Sequence, residues 1–163
     1  MKILALETSA KAVSAAVVEN GAVLASTYQN LGLTHSVTLM PMVDTMLKNA
    51  GMTAQDMALI AVAAGPGSFT GLRIGISAAK GLAWALGLPC CGVSTLEAMA
   101  ENVTAFEGTV ICAMDARRQQ IYNAVFDCHG GRLIRRCEDR AIALEVLAQE
   151  LAQETCEKIV VGD

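Results

Sequence analysis

Histidine is scarce in this chain: of 163 residues only His35 and His129 carry an imidazole. A metal-dependent hydrolase or a Ser-His-Asp triad therefore has little to draw on. Basic charge is not in excess either. The formal charge of -4 and a pI near 5.2 argue against a protein that grips nucleic acid across a broad basic face. The six cysteines include no Cys-x-x-Cys pair, and adjacent Cys90 and Cys91 would face opposite sides of a strand, so zinc is disfavoured. They are expected to be buried thiols. No apolar run spans a membrane, because the stretch from Ile74 to Val93 is broken by Lys80 and Pro89. Lys2 followed by Ile3 to Leu6 is too short for a signal-peptide core. The expectation is a cytoplasmic chain with no membrane partner and no cofactor. What is plentiful is apolar content, at 53%, ample for a core.

The most informative stretch is Ala64-Gly65-Pro66-Gly67-Ser68-Phe69-Thr70-Gly71-Leu72-Arg73-Ile74-Gly75. It joins a strand-like run to a helix-like run through a glycine-rich turn, which makes it a candidate anion or partner site. The same glycines also suit a tight strand-to-helix turn and nothing more. The spacing Gly65-x-Gly67-x-x-x-Gly71 is too long for a dinucleotide fingerprint, and no Gly-Lys-Ser/Thr follows. Ser68 lacks the flanking glycines of a nucleophile elbow.

Short apolar runs at 2–7, 13–19 and 22–28 predict three consecutive antiparallel strands, the second and third joined by the hairpin signal Asn20-Gly21. Helical spacing predicts a helix over 36–50, with Pro41 delaying its regular start. A strand at 57–64 reads as buried on both faces, and a helix follows over about 70–86, closed by Gly87 and Pro89. Cys90 to Val93 is a fifth strand, after which Ser94 and Glu97 form a capping-box pattern.

The second half begins the same plan again. Ile3 to Glu7, Ala15 to Val18 and Gly21 are matched by Ile111 to Asp115, Asn123 to Phe126 and Gly130, at an offset of 108 or 109 residues. A strand at 132–138, a helix at about 142–153 and a strand at 157–161 continue the copy. The expected fold is therefore α/β, a duplicated lobe of the actin-like ATPase clan (ASKHA, ribonuclease H-like), with residues 1–105 as the first lobe. Residues 106–163 are read as the start of a second, incomplete lobe.

An acidic residue, Glu7 or Asp115, ends the first strand of each copy. Paired carboxylates across a cleft could hold magnesium, so both are weak candidates for nucleotide chemistry. The turns beside them, Thr8 to Ala12 and Ala116 to Gln120, contain no glycine, and the acids can equally cap those turns. The helix over 70–86 has only two charges, Arg73 and Lys80, seven residues apart and on one face. Gly71, Gly75 and Ala78 form a smooth stripe for another helix to approach, while Leu72, Ile76, Leu82 and Trp84 are expected to pack inward. The first helix adds Met40, Met42 and Met46, adaptable at a partner surface or in a core.

The blocks Ile3-Leu4-Ala5-Leu6-Glu7-Thr8-Ser9, His35, Gly65 to Gly75, Gly92-Val93-Ser94-Thr95-Leu96 and Met114-Asp115-Ala116-Arg117 resemble, in order, the TsaB (YeaZ) family of bacterial proteins. The resemblance implies a non-catalytic subunit of the machinery that installs N6-threonylcarbamoyladenosine in ANN-decoding tRNAs. It implies binding to a TsaD-like catalytic subunit, a TsaE-like ATPase in the same assembly, a homodimer in isolation, and tRNA reached only through the complex. Thr95 and Met99 stand where the catalytic relative has a pair of metal-binding histidines, so no metal site is expected. By the same resemblance, pairing through the two first-lobe helices assigns a partner interface to His35, Met40, Thr70, Gly71, Arg73, Ile74, Gly75, Ser77 and Ala78. Relatives of this family usually run several tens of residues further, so the resemblance implies a truncated second lobe.

Overall fold

The computed structural model describes residues 1–162, and the chain divides into two units between Val93 and Ser94. The first unit runs β1 (Lys2–Glu7), β2 (Val13–Glu19), β3 (Ala22–Gln29), α1 (His35–Asn49), β4 (Leu59–Gly65), α2 (Phe69–Leu86) and β5 (Cys90–Ser94). Its strands lie in the order β3-β2-β1-β4-β5, with β1 antiparallel to β2 and parallel to β4. Asn20 and Gly21 both have positive φ, as the tight turn between right-twisted strands requires. Period-two alternation sends Leu4, Leu6, Val13, Ala15, Val17, Ile60 and Val62 to one face, where α1 and α2 cover them.

Apolar side chains at helical spacing make α1 amphipathic, burying Leu39, Met42, Val43, Met46 and Leu47. That buried face holds the helix from His35 onward, so Pro41 does not delay it. Met40 is exposed while Met42 and Met46 belong to the core. Gly87 ends α2 in the left-handed conformation. The strand β4 is buried on one face only, Leu59 and Ala61 being half-buried. On β5, an edge strand, Cys90 and Cys91 are exposed, contrary to the expectation of buried thiols.

The second unit contains α3 (Thr95–Ala100), β6 (Gly108–Arg117), β7 (Gln120–His129), β8 (Arg132–Arg135), β9 (Arg140–Ala143), α4 (Leu144–Leu151) and β10 (Lys158–Gly162). The division falls ahead of the expected boundary after residue 105 because α3 packs on β6 and β7. Ser94 caps α3 as expected, accepting from the Glu97 amide at 3.2 Å. The Glu97 carboxylate does not return the bond but pairs with Arg135 at 2.9 Å. In the sheet β10-β6-β7-β8, β10 runs parallel to β6 and β7 antiparallel to it, repeating the relation of β4 and β2 to β1.

The expected strand over 132–138 stops at Arg135, and a further strand, β9, follows it at Arg140–Ala143. β8 pairs with Phe126–His129 and β9 with Gln120–Asn123, so both lie along β7. Arg135 holds the break between them, donating to the Cys137 carbonyl at 3.3 Å and to Asp139 at 2.7 Å. The expected helix over 142–153 shortens because Ile142 pairs with Ile121 and joins the apolar cluster of Ile111, Val125 and Leu147.

Cys112 and Cys128 are fully buried here, and burial pushes the Cys112 thiol up to about 11. A thiol reagent at neutral pH is expected to label exposed Cys90, Cys91 and Cys156 rapidly in the native protein, and Cys112 and Cys128 only after denaturation. Peptide mapping by mass spectrometry reads this out. Native labelling of Cys112 as fast as Cys156 would mean that the β6–β7 core is open.

Candidate functional site: the α1–α2 groove

The glycine-rich block serves the fold before anything else. The buried Thr8 hydroxyl donates to the Gly71 carbonyl at 2.8 Å, and the Ser68 amide donates to the Ser9 carbonyl at 2.6 Å. A Cβ at Gly71 would overlap the Thr8 carbonyl oxygen, and one at Gly75 would overlap the Thr8 hydroxyl. The absence of side chains therefore lets α2 sit directly on the turn between β1 and β2. This corrects the expectation of a smooth stripe open to another helix: Gly71 and Gly75 are buried against their own chain. Trp84 is also displaced from its expected place, being 89% exposed rather than packed inward. It continues the exposed stripe of Arg73, Ser77 and Lys80 along α2.

Apart from those two glycines, every expected interface residue lines one feature, a groove of about 470 Å³ between α1 and α2. Helix α1 supplies His35, Ser36, Leu39 and Met40; α2 supplies Phe69, Thr70, Arg73, Ile74, Ser77 and Ala78. Ser36, Leu39 and Phe69 were missed from the sequence. Phe69 carried a usable signal, since it stands one helical turn before Arg73. The Arg73 guanidinium lies 5.2 Å from the Phe69 ring centroid, and Phe69 is 73% exposed. Among the described residues Arg73 has no carboxylate partner. The groove thus offers an apolar floor, an aromatic rim and one uncompensated positive charge.

His35 has a structural task as well, its Nε2 donating to the Ala10 carbonyl at 2.9 Å and pinning the start of α1 to the β1–β2 turn. Its Nδ1 is buried without a hydrogen-bond partner.

The two candidate carboxylates are occupied locally. Glu7 accepts from the Ser9 amide, and Asp115 accepts from the Arg117 amide at 2.7 Å, so each acid closes the turn that follows its strand. Ser68 is the N-cap of α2, accepting from the Gly71 amide at 3.3 Å. Thr95 is buried and Met99 half-buried in α3. Among the described residues no three His, Cys, Asp or Glu side chains converge as a metal site would need, and no helix is long and apolar enough to cross a membrane.

Residues 29–159 match the family described as TsaD, tRNA N6-adenosine threonylcarbamoyltransferase. Over 144 residues the chain is 40% identical to the tRNA threonylcarbamoyladenosine biosynthesis protein TsaB of Bacillus subtilis, an alignment covering 88% of this chain and 63% of that protein. It is 35% identical over 165 residues to TsaB of Escherichia coli, covering 99% of this chain and 71% of that one. The solved structure of YeaZ from Pseudomonas aeruginosa superposes with a TM-score of 0.84 at 30% identity, covering 99% of this chain and 75% of its own. Component A of the (R)-2-hydroxyglutaryl-CoA dehydratase of Acidaminococcus fermentans shares the fold alone, with a TM-score of 0.53 at 17% identity over 94% of this chain and 55% of that one. The chain therefore spans about three-fifths of the Bacillus protein, and its fold is the α/β fold of the actin-like ATPases. Identity, coverage and superposition agree that it belongs to the TsaB (YeaZ) family.

Proposed function

We propose that this chain is a non-catalytic scaffold subunit in tRNA N6-threonylcarbamoyladenosine formation. It docks through the α1–α2 groove onto a TsaD-like catalytic subunit, with a TsaE-like ATPase in the same cytoplasmic assembly and tRNA bound through the complex. In isolation the same groove pairs two copies in a homodimer. The carrying observation is the groove itself: exposed Phe69 and Met40 beside an unpaired Arg73, on helices whose outer faces carry few charges. Exposed aromatic and arginine side chains on an apolar floor are what a protein interface buries. The family role named for the Bacillus and Escherichia relatives supports the tRNA assignment.

The test uses Ser77→Arg and Phe69→Asp, both at exposed positions that spare the seat of α2 on Thr8. Each is expected to weaken homodimer and heterocomplex about tenfold or more in sedimentation, and to lower product in a reconstituted threonylcarbamoyl-transfer assay. Glu7→Gln is expected to cost much less. Normal assembly with activity lost on Glu7→Gln, together with tight Mg-ATP binding in calorimetry, would replace the scaffold with an ATP-using enzyme of the same clan.

A further inference from the structure

The hairpin between β6 and β7 turns on residues that do not suit it. Arg117, Arg118 and Gln119 have φ of 64°, 53° and 63°, a left-handed backbone that glycine and asparagine tolerate and that is costly for long side chains such as these. Two other hairpins of the chain make their turns with the residues that tolerate it. Asn20-Gly21 closes β2–β3 at 52° and 80°, and Gly130-Gly131 closes β7–β8 at 57° and 74°. At the β6–β7 tip, long polar side chains are kept in spite of the backbone, and strain of this kind gathers at functional positions.

The tip is also braced. Asp115 accepts from the Arg117 amide, Arg117 pairs with Gln120 across the hairpin, and Gln120 is flanked on its far side by Ala143 of β9. From this base Arg117, Arg118, Gln119 and Gln120 are all exposed. Arg135, Arg136 and Arg140 of the same unit are each paired with carboxylates. Among the described residues Arg117 and Arg118 have no such partner. The acid beside them in the chain, Asp115, is already bonded to a backbone amide.

A guanidinium presents a flat fork of donors that matches two phosphate oxygens, and a glutamine amide both donates and accepts. We propose that this tip binds the phosphate backbone of the RNA that the assembly modifies. The inference rests on the tRNA role proposed above and adds a direct contact from this chain. A net charge of -4 leaves the chain a poor RNA binder by itself, so the tip supplements contacts made elsewhere in the complex.

Two variants test it. Arg118→Asn with Gln119→Gly restores residues suited to the turn and removes one guanidinium; Arg117→Asn with Arg118→Asn removes both. Within the assembled complex, the second is expected to raise the tRNA Kd about fivefold or more and to reduce the salt dependence of log Kd by about one unit per arginine removed. The first should do half as much in the salt slope, with its Tm unchanged or raised. An unchanged Kd and slope in an intact complex would overturn the inference. Loss of assembly with normal tRNA binding would overturn it too, assigning the tip to an acidic protein surface. Sedimentation of the complex without tRNA separates the two readings: a wild type that fails to assemble defeats the scaffold reading, whereas an assembled complex whose tRNA affinity ignores both variants defeats this inference.

Discussion

Valine in place of Gly75 is expected to destabilise the first unit by about 3 kcal/mol, whereas alanine in place of Gly81, six residues further along α2, stabilises it by about 0.5–1 kcal/mol. Helix propensity alone would make alanine a gain at both positions, since glycine is about 1 kcal/mol worse than alanine inside a helix. Contact decides otherwise at Gly75. Its Cβ would fall on the hydroxyl of Thr8, a residue that is 0% exposed and whose hydroxyl already bonds the Gly71 carbonyl at 2.8 Å. Moving Thr8 breaks that bond and strands a buried hydroxyl, at about 1–3 kcal/mol, and the added bulk costs a similar amount again. Gly81 has nothing within 4 Å of its would-be Cβ, so only propensity acts there. Denaturant midpoints of the two variants should therefore move in opposite directions. A Gly75→Val protein as stable as the wild type would show that α2 does not rest on Thr8. The same contact makes Gly75 unsuitable as a probe of partner binding, because its loss would act through the fold.

The glycine block shows where sequence reasoning stops. It announced a close approach, and the approach is real, but residue size carries no direction. Gly71, Gly75, Ala79 and Ala83 are the buried residues of α2, a stripe of small side chains at spacing of four. Read at that spacing, the sequence holds the inward face. The choice of Gly71, Gly75 and Ala78 mixed that face with the groove wall, and Trp84 was turned the wrong way for the same reason. His35, Met40, Thr70, Arg73, Ile74, Ser77 and Ala78, which the family resemblance rather than spacing singled out, share the groove between α1 and α2.

The strand plan was more legible, because alternation and acid-terminated apolar runs are local signals. The repeat at 108 or 109 residues anticipates a strand at 157–161 as the counterpart of the one at 57–64, and the structure adds that β10 joins β6 in parallel as β4 joins β1. The break between β8 and β9 was not legible. It depends on Arg135, which also reaches Glu97 and Ser94 some forty residues earlier in the chain. Exposure of Cys90 and Cys91 escaped notice similarly, since an apolar run does not say whether its strand ends at a sheet edge.

The second unit is expected to lose about 2 kcal/mol on Arg136→Ala, and the loss should shrink in acid. Arg136 donates to Asp127 on β7 at 2.5 Å, to Glu154 beyond α4 at 2.6 Å, and to the buried Thr109 hydroxyl on β6 at 3.3 Å. It therefore ties three segments that are distant in sequence. Alanine leaves two carboxylates without their cation. Full burial would make that cost about 3–5 kcal/mol, but Arg136 and Asp127 are 32% and 30% exposed, so water screens part of it. The Arg136 bond holds the Asp127 carboxyl below its ordinary value of 3.8, so folding favours the ionised form. That contribution is fully present above the ordinary value and disappears as pH falls through the lower folded one. Arginine stays charged throughout, so the carboxylate alone sets this dependence. Chemical denaturation of wild type and variant should show a constant gap from neutral pH down to about pH 5 and a narrowing one below about pH 4. A gap that stays constant into strong acid would assign the loss to packing of the arginine stem instead of its charge.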